Sequence, residues 1–143
     1  PNLFKEMAVV YFTGSKIIFT NEVEREIIEK IYGFEDITEL FDIGEVEIIV
    51  TTLGKDGSLC YIREGDIIRQ EKIGICKVDH VVDATGSGDA YMAGFIYGYL
   101  KGYKAEECCR LGGTLSYFIL QSEGCCTNAP TEEQLLEKAK TFE

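Results

Sequence analysis

Between positions 81 and 95 the chain reads VVDATGSGDAYMAGF. Two valines of an extended segment run into Ala84-Thr85-Gly86-Ser87-Gly88, a turn stripped of side-chain bulk. Asp89 follows, and no charge recurs until Lys101. So short a turn between a strand and an apolar helix indicates a layered α/β fold. It also poses a chemical question. The first amides of a helix have no intrahelical partner, and with the helix dipole they make an anion site suited to phosphate. A carboxylate in that first turn stabilises the helix but repels a phosphate unless it has a task of its own. Accepting a proton from a hydroxyl that attacks the phosphate is such a task.

Two familiar phosphate loops do not fit. A dinucleotide fingerprint places its third glycine at position 91, where Tyr91 stands. A Walker loop ends in Gly-Lys-Ser/Thr, whereas Gly14-Ser15-Lys16 has the order wrong and lacks the earlier glycine. The plainer reading, a glycine-rich connection with Asp89 as a helix-start acid, stays open on the residues alone.

The rest of the chain reads as strands first and helices after. Lys16–Thr20 predicts a short buried strand, and Asn21 opens a helix that Gly33 ends. That helix carries Val23, Ile27, Ile28 and Ile31 against a charged side. Leu3–Phe12 and Glu35–Phe41 are further short helix expectations. Glu45–Thr52 (EVEIIVTT) predicts the clearest strand, then a turn at Gly54–Gly57, strands at Ser58–Arg63 and Ile67–Lys72, and an extended Cys76–Val82. Helices follow at Gly88–Lys101, Ala105–Gln121 and Thr131–Thr141, with Gly102 and Gly124 as C-terminal caps. Ala90, Ala93, Gly94, Tyr97 and Gly98 form a mostly small face for close packing.

At 143 residues the chain suits one domain with a real core. A net charge of −11 and no basic stripe exclude a nucleic-acid-binding role. No apolar run reaches membrane-spanning length, and no signal peptide is expected. The six cysteines show no CxxC and no metal-ligand spacing with the lone His80. They read as small apolar residues of a reducing interior, so the cytoplasm is the expected location. His80 reads as a packed or edge histidine. The chain starts Pro-Asn-Leu, without an initiator methionine, so it is expected to begin partway along a longer protein.

Asp83-Ala84-Thr85-Gly86-Ser87-Gly88-Asp89-Ala90, followed by Gly94, closely resembles the second signature of the ribokinase, or phosphofructokinase-B-type carbohydrate kinase, family. Ser87 stands where the family commonly has alanine. The resemblance implies that the Gly86, Ser87 and Gly88 amides form an anion hole for the transferring phosphoryl group and that Asp89 is the catalytic base. Asn21-Glu22-Val23-Glu24 resembles the family's Asn-x-x-Glu motif, which helps organise magnesium and phosphate. The same spacing is also a capping box, and a dual role for Asn21 and Glu24, through metal-bound water, is expected.

Thr51-Thr52-Leu53-Gly54-Lys55-Asp56-Gly57 resembles a segment that lies along the nucleotide in the family, which implies nucleotide contacts at Thr52, Gly54 and Gly57. An ordinary hairpin turn is the competing reading. Gly124–Thr131 resembles the stretch before the final helix that borders the adenine pocket and a monovalent-cation loop, implicating Cys125 and Asn128. Asp83 and the Thr85 carbonyl are the implied other side of that cation (K+) site.

The resemblance covers the C-terminal half of a ribokinase-like layered α/β fold, a central sheet flanked by helices, as one domain over residues 1–143. An N-terminal half with its acceptor pocket and lid is expected to be absent. The implied function is ATP- and Mg2+-dependent phosphotransfer to a hydroxyl of a sugar or nucleoside, this chain being the ATP-binding and catalytic-base half. Alone it is expected to be inactive or weakly active. The expected partners are the small-molecule acceptor and a complementing N-terminal half or a second copy. Tyr91 and Thr127-Asn128 lean towards the nucleoside and adenosine kinase branch. The alternative is an inactive nucleotide- or anion-binding module.

Overall fold

The computed structural model describes residues 14–75, 86–120 and 130–140. The chain divides into two compact units, Pro1–Gly54 with Ser58–Lys72, and Lys55–Gly57 with Ile73–Glu143. The first is built on a four-stranded mixed sheet, order β1-β2-β3-β4. Strand β1 (Ile17–Asn21) pairs in parallel with β2 (Ile48–Thr52), which pairs antiparallel with β3 (Ser58–Glu64); β4 (Ile67–Ile73) lies beside β3.

A parallel pair needs a crossover, and residues 22–47 supply it as helix α1 (Glu22–Tyr32) and a 3-10 helix at Ile37–Asp42. The 3-10 helix replaces the expected Glu35–Phe41 helix. Asp36 caps it, and Glu39 reaches back to the Asp36 backbone. Strand β2 is buried through Thr51, as a strand covered on both faces should be. It begins at Ile48, later than expected, because the Glu47 and Ile48 amides both donate to the Lys16 carbonyl, at 2.8 and 3.1 Å, where the ladder opens. Strand β4 is mostly exposed and carries Arg69 paired with Glu64 and Glu71, charges that discourage further pairing at its edge.

The core of this unit gathers Ile18, Ile37, Leu40, Phe41, Val46, Ile49 and Tyr61, with Ile28 and Phe34 packed against it. The apolar spacing of α1 was only half informative. Ile28 and Ile31 are partly buried, but Val23 and Ile27 are exposed, and no residue of the helix is buried. The inward face instead follows Arg25, Ile28, Glu29 and Tyr32. Arg25 explains the rotation: its guanidinium donates to the Tyr61 hydroxyl at 2.9 Å and pairs with Glu29 and Asp36, which draws its side towards β3.

The second unit holds helices α2 (Ser87–Leu100), α3 (Ala105–Leu120) and α4 (Glu132–Ala139). The α2–α3 crossing is backbone against backbone. A Cβ added to Gly94 would lie 2.5 Å from the Leu111 carbonyl oxygen, and one at Gly112 would lie 2.6 Å from that of Tyr91. The packed face of α2 is Ala90, Tyr91, Gly94, Phe95 and Gly98. Ala93, expected on it, is exposed, and Tyr97 is half-buried with its hydroxyl donating to Glu132 of α4. The small residues at 90, 94 and 98 do lie inward as expected, and two aromatics fill the flank. Gly102 takes φ +81° and closes α2 as expected. Cys60, Cys108 and Cys109 are buried, in keeping with an apolar role. Leu3–Phe12, Cys76–Val82, His80 and Gly124 lie outside the described residues.

Candidate active site

In the first unit the expected site residues Asn21 and Thr52 sit at the carboxyl end of the parallel pair β1–β2. In register, Asn21 is the partner of Thr52. Open α/β sheets bind ligands outside this edge. Asn21 ends β1 and caps α1. Its Oδ1 accepts the Glu24 amide at 2.8 Å, and a Glu24 carboxylate oxygen accepts the Asn21 amide at 2.9 Å. The capping box is therefore formed, and Asn21 and Glu24 are both exposed.

The Thr52 hydroxyl donates to the Thr20 carbonyl at 3.4 Å, and the buried hydroxyls of Thr20 and Thr51 lie 3.0 Å apart. These contacts clamp the two strand ends that carry Asn21 and Thr52. Thr20 and Thr51 were not singled out from sequence. The available signal was a threonine closing each apolar strand, Phe19-Thr20 and Val50-Thr51.

Gly54 opens a 3-10 turn over Gly54–Asp56 with φ +60°. In the second unit, Gly57 takes φ +93°, and a Cβ there would lie 2.0 Å from the Ile73 carbonyl oxygen. Close backbone packing thus accounts for this glycine without a nucleotide.

Gly86 begins α2 in the left-handed conformation, φ +82°, with no side-chain cap. An L-residue with a Cβ is disfavoured there. Ser87, Gly88 and Asp89 are then the first three helical residues, and the Ala90 amide donates to the Gly86 carbonyl at 2.9 Å. The preceding amides are those a helix start leaves without intrahelical partners. Gly88 and Asp89 are exposed, and a Cβ at Gly88 would meet nothing within 4 Å. An exposed glycine and an exposed carboxylate therefore share the first helical turn. From across the crossing, the Ser116 hydroxyl of α3 donates to the Ser87 carbonyl at 2.7 Å.

Tyr91, part of the resemblance to the nucleoside kinase branch, is buried with its ring against Gly112, so its side chain serves the helix crossing. Asp83, Thr85, Cys125, Asn128 and Thr127 lie outside the described residues. Among the described residues, no three or more His, Cys, Asp or Glu side chains cluster as metal ligands, and no helix is long and apolar enough to cross a membrane.

The sequence profile of the pfkB family of carbohydrate kinases matches residues 1–132. The chain belongs to that family. A nucleoside kinase of Methanocaldococcus jannaschii is 33% identical over 138 residues, covering 96% of this chain and 43% of the relative. A 5-dehydro-2-deoxygluconokinase of Bacillus cereus is 29% identical over 138 residues, covering 91% of this chain and 40% of that protein. The crystal structure of the M. jannaschii nucleoside kinase, described as an archaeal member of the ribokinase family, superposes with a TM-score of 0.87 at 31% identity, over 96% of this chain and 44% of that one. The expected ribokinase-like α/β fold is thus the fold observed, and the chain spans less than half the length of these relatives.

Proposed function

We propose that the full-length protein transfers the γ-phosphoryl group of ATP to a hydroxyl of a nucleoside, with the start of α2 as its catalytic centre. The observation that carries this reading is the open first turn of α2, with Asp89 in it, on a chain of the pfkB family. Asp89 takes the proton of the acceptor hydroxyl as its oxygen bonds to the γ-phosphorus. The bond from that phosphorus to the bridging oxygen of ADP breaks, and ADP leaves with the electron pair. The amides of Gly86, Ser87 and Gly88 stabilise the charge on the equatorial oxygens. The nucleoside is favoured over a sugar by the 33% identity to the archaeal nucleoside kinase.

The edge of Asn21, Glu24, Thr52 and Gly54 is proposed to line the nucleotide. Asn21 and Glu24 offer hard oxygen donors, which suits magnesium. The single Asn21 side-chain oxygen and one of the two Glu24 carboxylate oxygens accept capping-box hydrogen bonds, so the pair fits a magnesium ion that keeps its waters rather than a fully protein-ligated one. The ion would supply charge neutralisation on the phosphates. Cys125 and Asn128 at the adenine, and Asp83 and Thr85 at a potassium ion, complete the proposed set. The acceptor pocket is assigned to an N-terminal half, in the same protein or a complementing chain.

The test is a coupled assay of the full-length protein with Mg-ATP against a panel of nucleosides and sugars, with calorimetry of Mg-ATP binding alongside. Asp89→Asn should lower kcat by at least about 10²-fold, since positioned general bases contribute roughly 10²–10⁴. Near-normal turnover in that variant would sink the assignment. ATP binding without turnover on any acceptor would favour the nucleotide-binding module instead.

A further inference from the structure

The α2–α3 crossing is antiparallel, and its rungs are mostly small or apolar. Gly98 faces Cys108 and Leu111, Gly94 faces Leu111 and Gly112, and Tyr91 faces Gly112. The last rung is different. At Ser87 the neighbour from α3 is Ser116, whose hydroxyl donates to the Ser87 carbonyl at 2.7 Å. A methyl group would fill nearly the same space, so packing alone does not call for a hydroxyl.

The peptide bond gives this contact a consequence. The Ser87 carbonyl and the Gly88 N–H belong to one planar, trans unit and point in opposite directions. A hydrogen bond that holds the carbonyl also aims the Gly88 N–H out of the helix start, and it polarises that N–H through the amide. No side chain caps the helix at Gly86, and the glycine contacts of the crossing begin at Tyr91. We infer that Ser116 is a positioning residue that orients and polarises the Gly88 amide towards the transferring phosphoryl group. The inference rests on the catalytic reading of the α2 start given above.

The test compares Ser116→Ala, Ser116→Cys and Ser116→Thr in the full-length protein, with Asp89→Asn run beside them. Ser116→Ala should lower kcat about tenfold, less than the loss of a whole oxyanion donor. The KM for ATP should stay within about threefold, because ground-state contacts along the nucleotide are untouched. Thr should restore most of kcat, and Cys, a weaker donor, should fall between. Independently of activity, the 15N-labelled Gly88 amide resonance should shift in Ser116→Ala and return in Ser116→Thr, while that of Gly98 stays in place.

Wild-type kcat in Ser116→Ala, with Asp89→Asn inactive, overturns the role of Ser116 alone. A kcat loss that follows a large fall in Tm and is not rescued by Thr assigns Ser116 to packing, and overturns it too. An unmoved Gly88 resonance does the same. Full turnover in Asp89→Asn overturns the site itself, and this inference with it.

Discussion

Helices α1 and α2 begin in opposite ways. At α1 the chain closes the helix start with side chains: Asn21 and Glu24 bond reciprocally to each other's backbone amides. At α2 a left-handed glycine starts the helix, no side chain caps it, and the first turn is glycine and carboxylate. A capped start satisfies its own donors and contributes stability, about 1 kcal/mol for a good cap. An uncapped start forgoes that stability and leaves donors for a ligand. Helix α4 follows the first pattern, with Thr131 and Gln134 in a capping box. Helix α2, which carries Asp89, does not.

If α2 is held by its crossing and not by a cap, two glycines two turns apart should respond to alanine in opposite ways. Gly94→Ala drives a Cβ to 2.5 Å from backbone of α3. It should cost about 1–3 kcal/mol net of the helix-propensity gain, read as a lower Tm. Gly88→Ala meets nothing within 4 Å, so it should leave Tm unchanged or raise stability by up to about 1 kcal/mol. It should nevertheless lower kcat about tenfold or more, because in the proposed mechanism the Cβ stands where the phosphoryl group approaches. A Gly88→Ala protein with full activity would break the contrast between the two helix starts.

Asn21 sharpens the other side. Asn21→Ala should lose about 1 kcal/mol in denaturant unfolding, and Asn21→Ser should recover most of it as an alternative cap. If Asn21 also helps hold magnesium and phosphate, Asn21→Ser will regain stability without regaining kcat, and its magnesium requirement will rise. Equal recovery of both would reduce Asn21 to a cap.

The smallest effect concerns Cys108, whose Sγ would lie 3.1 Å from a Cβ at Gly98. Burial, aided by neighbouring Cys109 and Glu107, pushes its thiol from 9.0 up to about 12. The folded value lies above the unfolded one. The stability linked to the neutral thiol is therefore complete below pH about 9 and is lost as pH rises towards about 12. Wild-type Tm should fall more steeply than that of Cys108→Ala over that interval, and Cys108 should resist thiol reagents at pH 8 in the folded protein, within the roughly 8–9 range of an ordinary thiol. Parallel Tm curves would show that the thiol gains nothing from its place in the crossing.

Much of this was legible in the linear order of residues. Asn21 with Glu24 and Thr131 with Gln134 are local capping chemistry, closed within one helical turn, and both formed as their spacing predicts. The glycine start of α2 was legible for the same reason, since Gly86 and the apolar run after Asp89 decide the local backbone. Spacing misled where a distant partner chose the outcome. The inward face of α1 was set by the bond from Arg25 to Tyr61, 36 residues away, and hydrophobic periodicity carries no trace of it. Ala93 was expected inward, but the close approach at Gly94 and Gly112 sets which face of α2 is packed: Tyr91 is buried and Ala93 is exposed.

By itself, then, the sequence determined the local features: the capping boxes of α1 and α4, the glycine start of α2, and where a carboxylate stands in that first turn. These depend on residues within a few positions of each other. Only the tertiary structure decided that threonines 20 and 51 clamp the strand ends, that Gly57 is filled by backbone, and that Ser116 grips the peptide of Gly88. Those contacts join residues 16 to 31 positions apart in the chain, and no local pattern encodes a partner at such a distance.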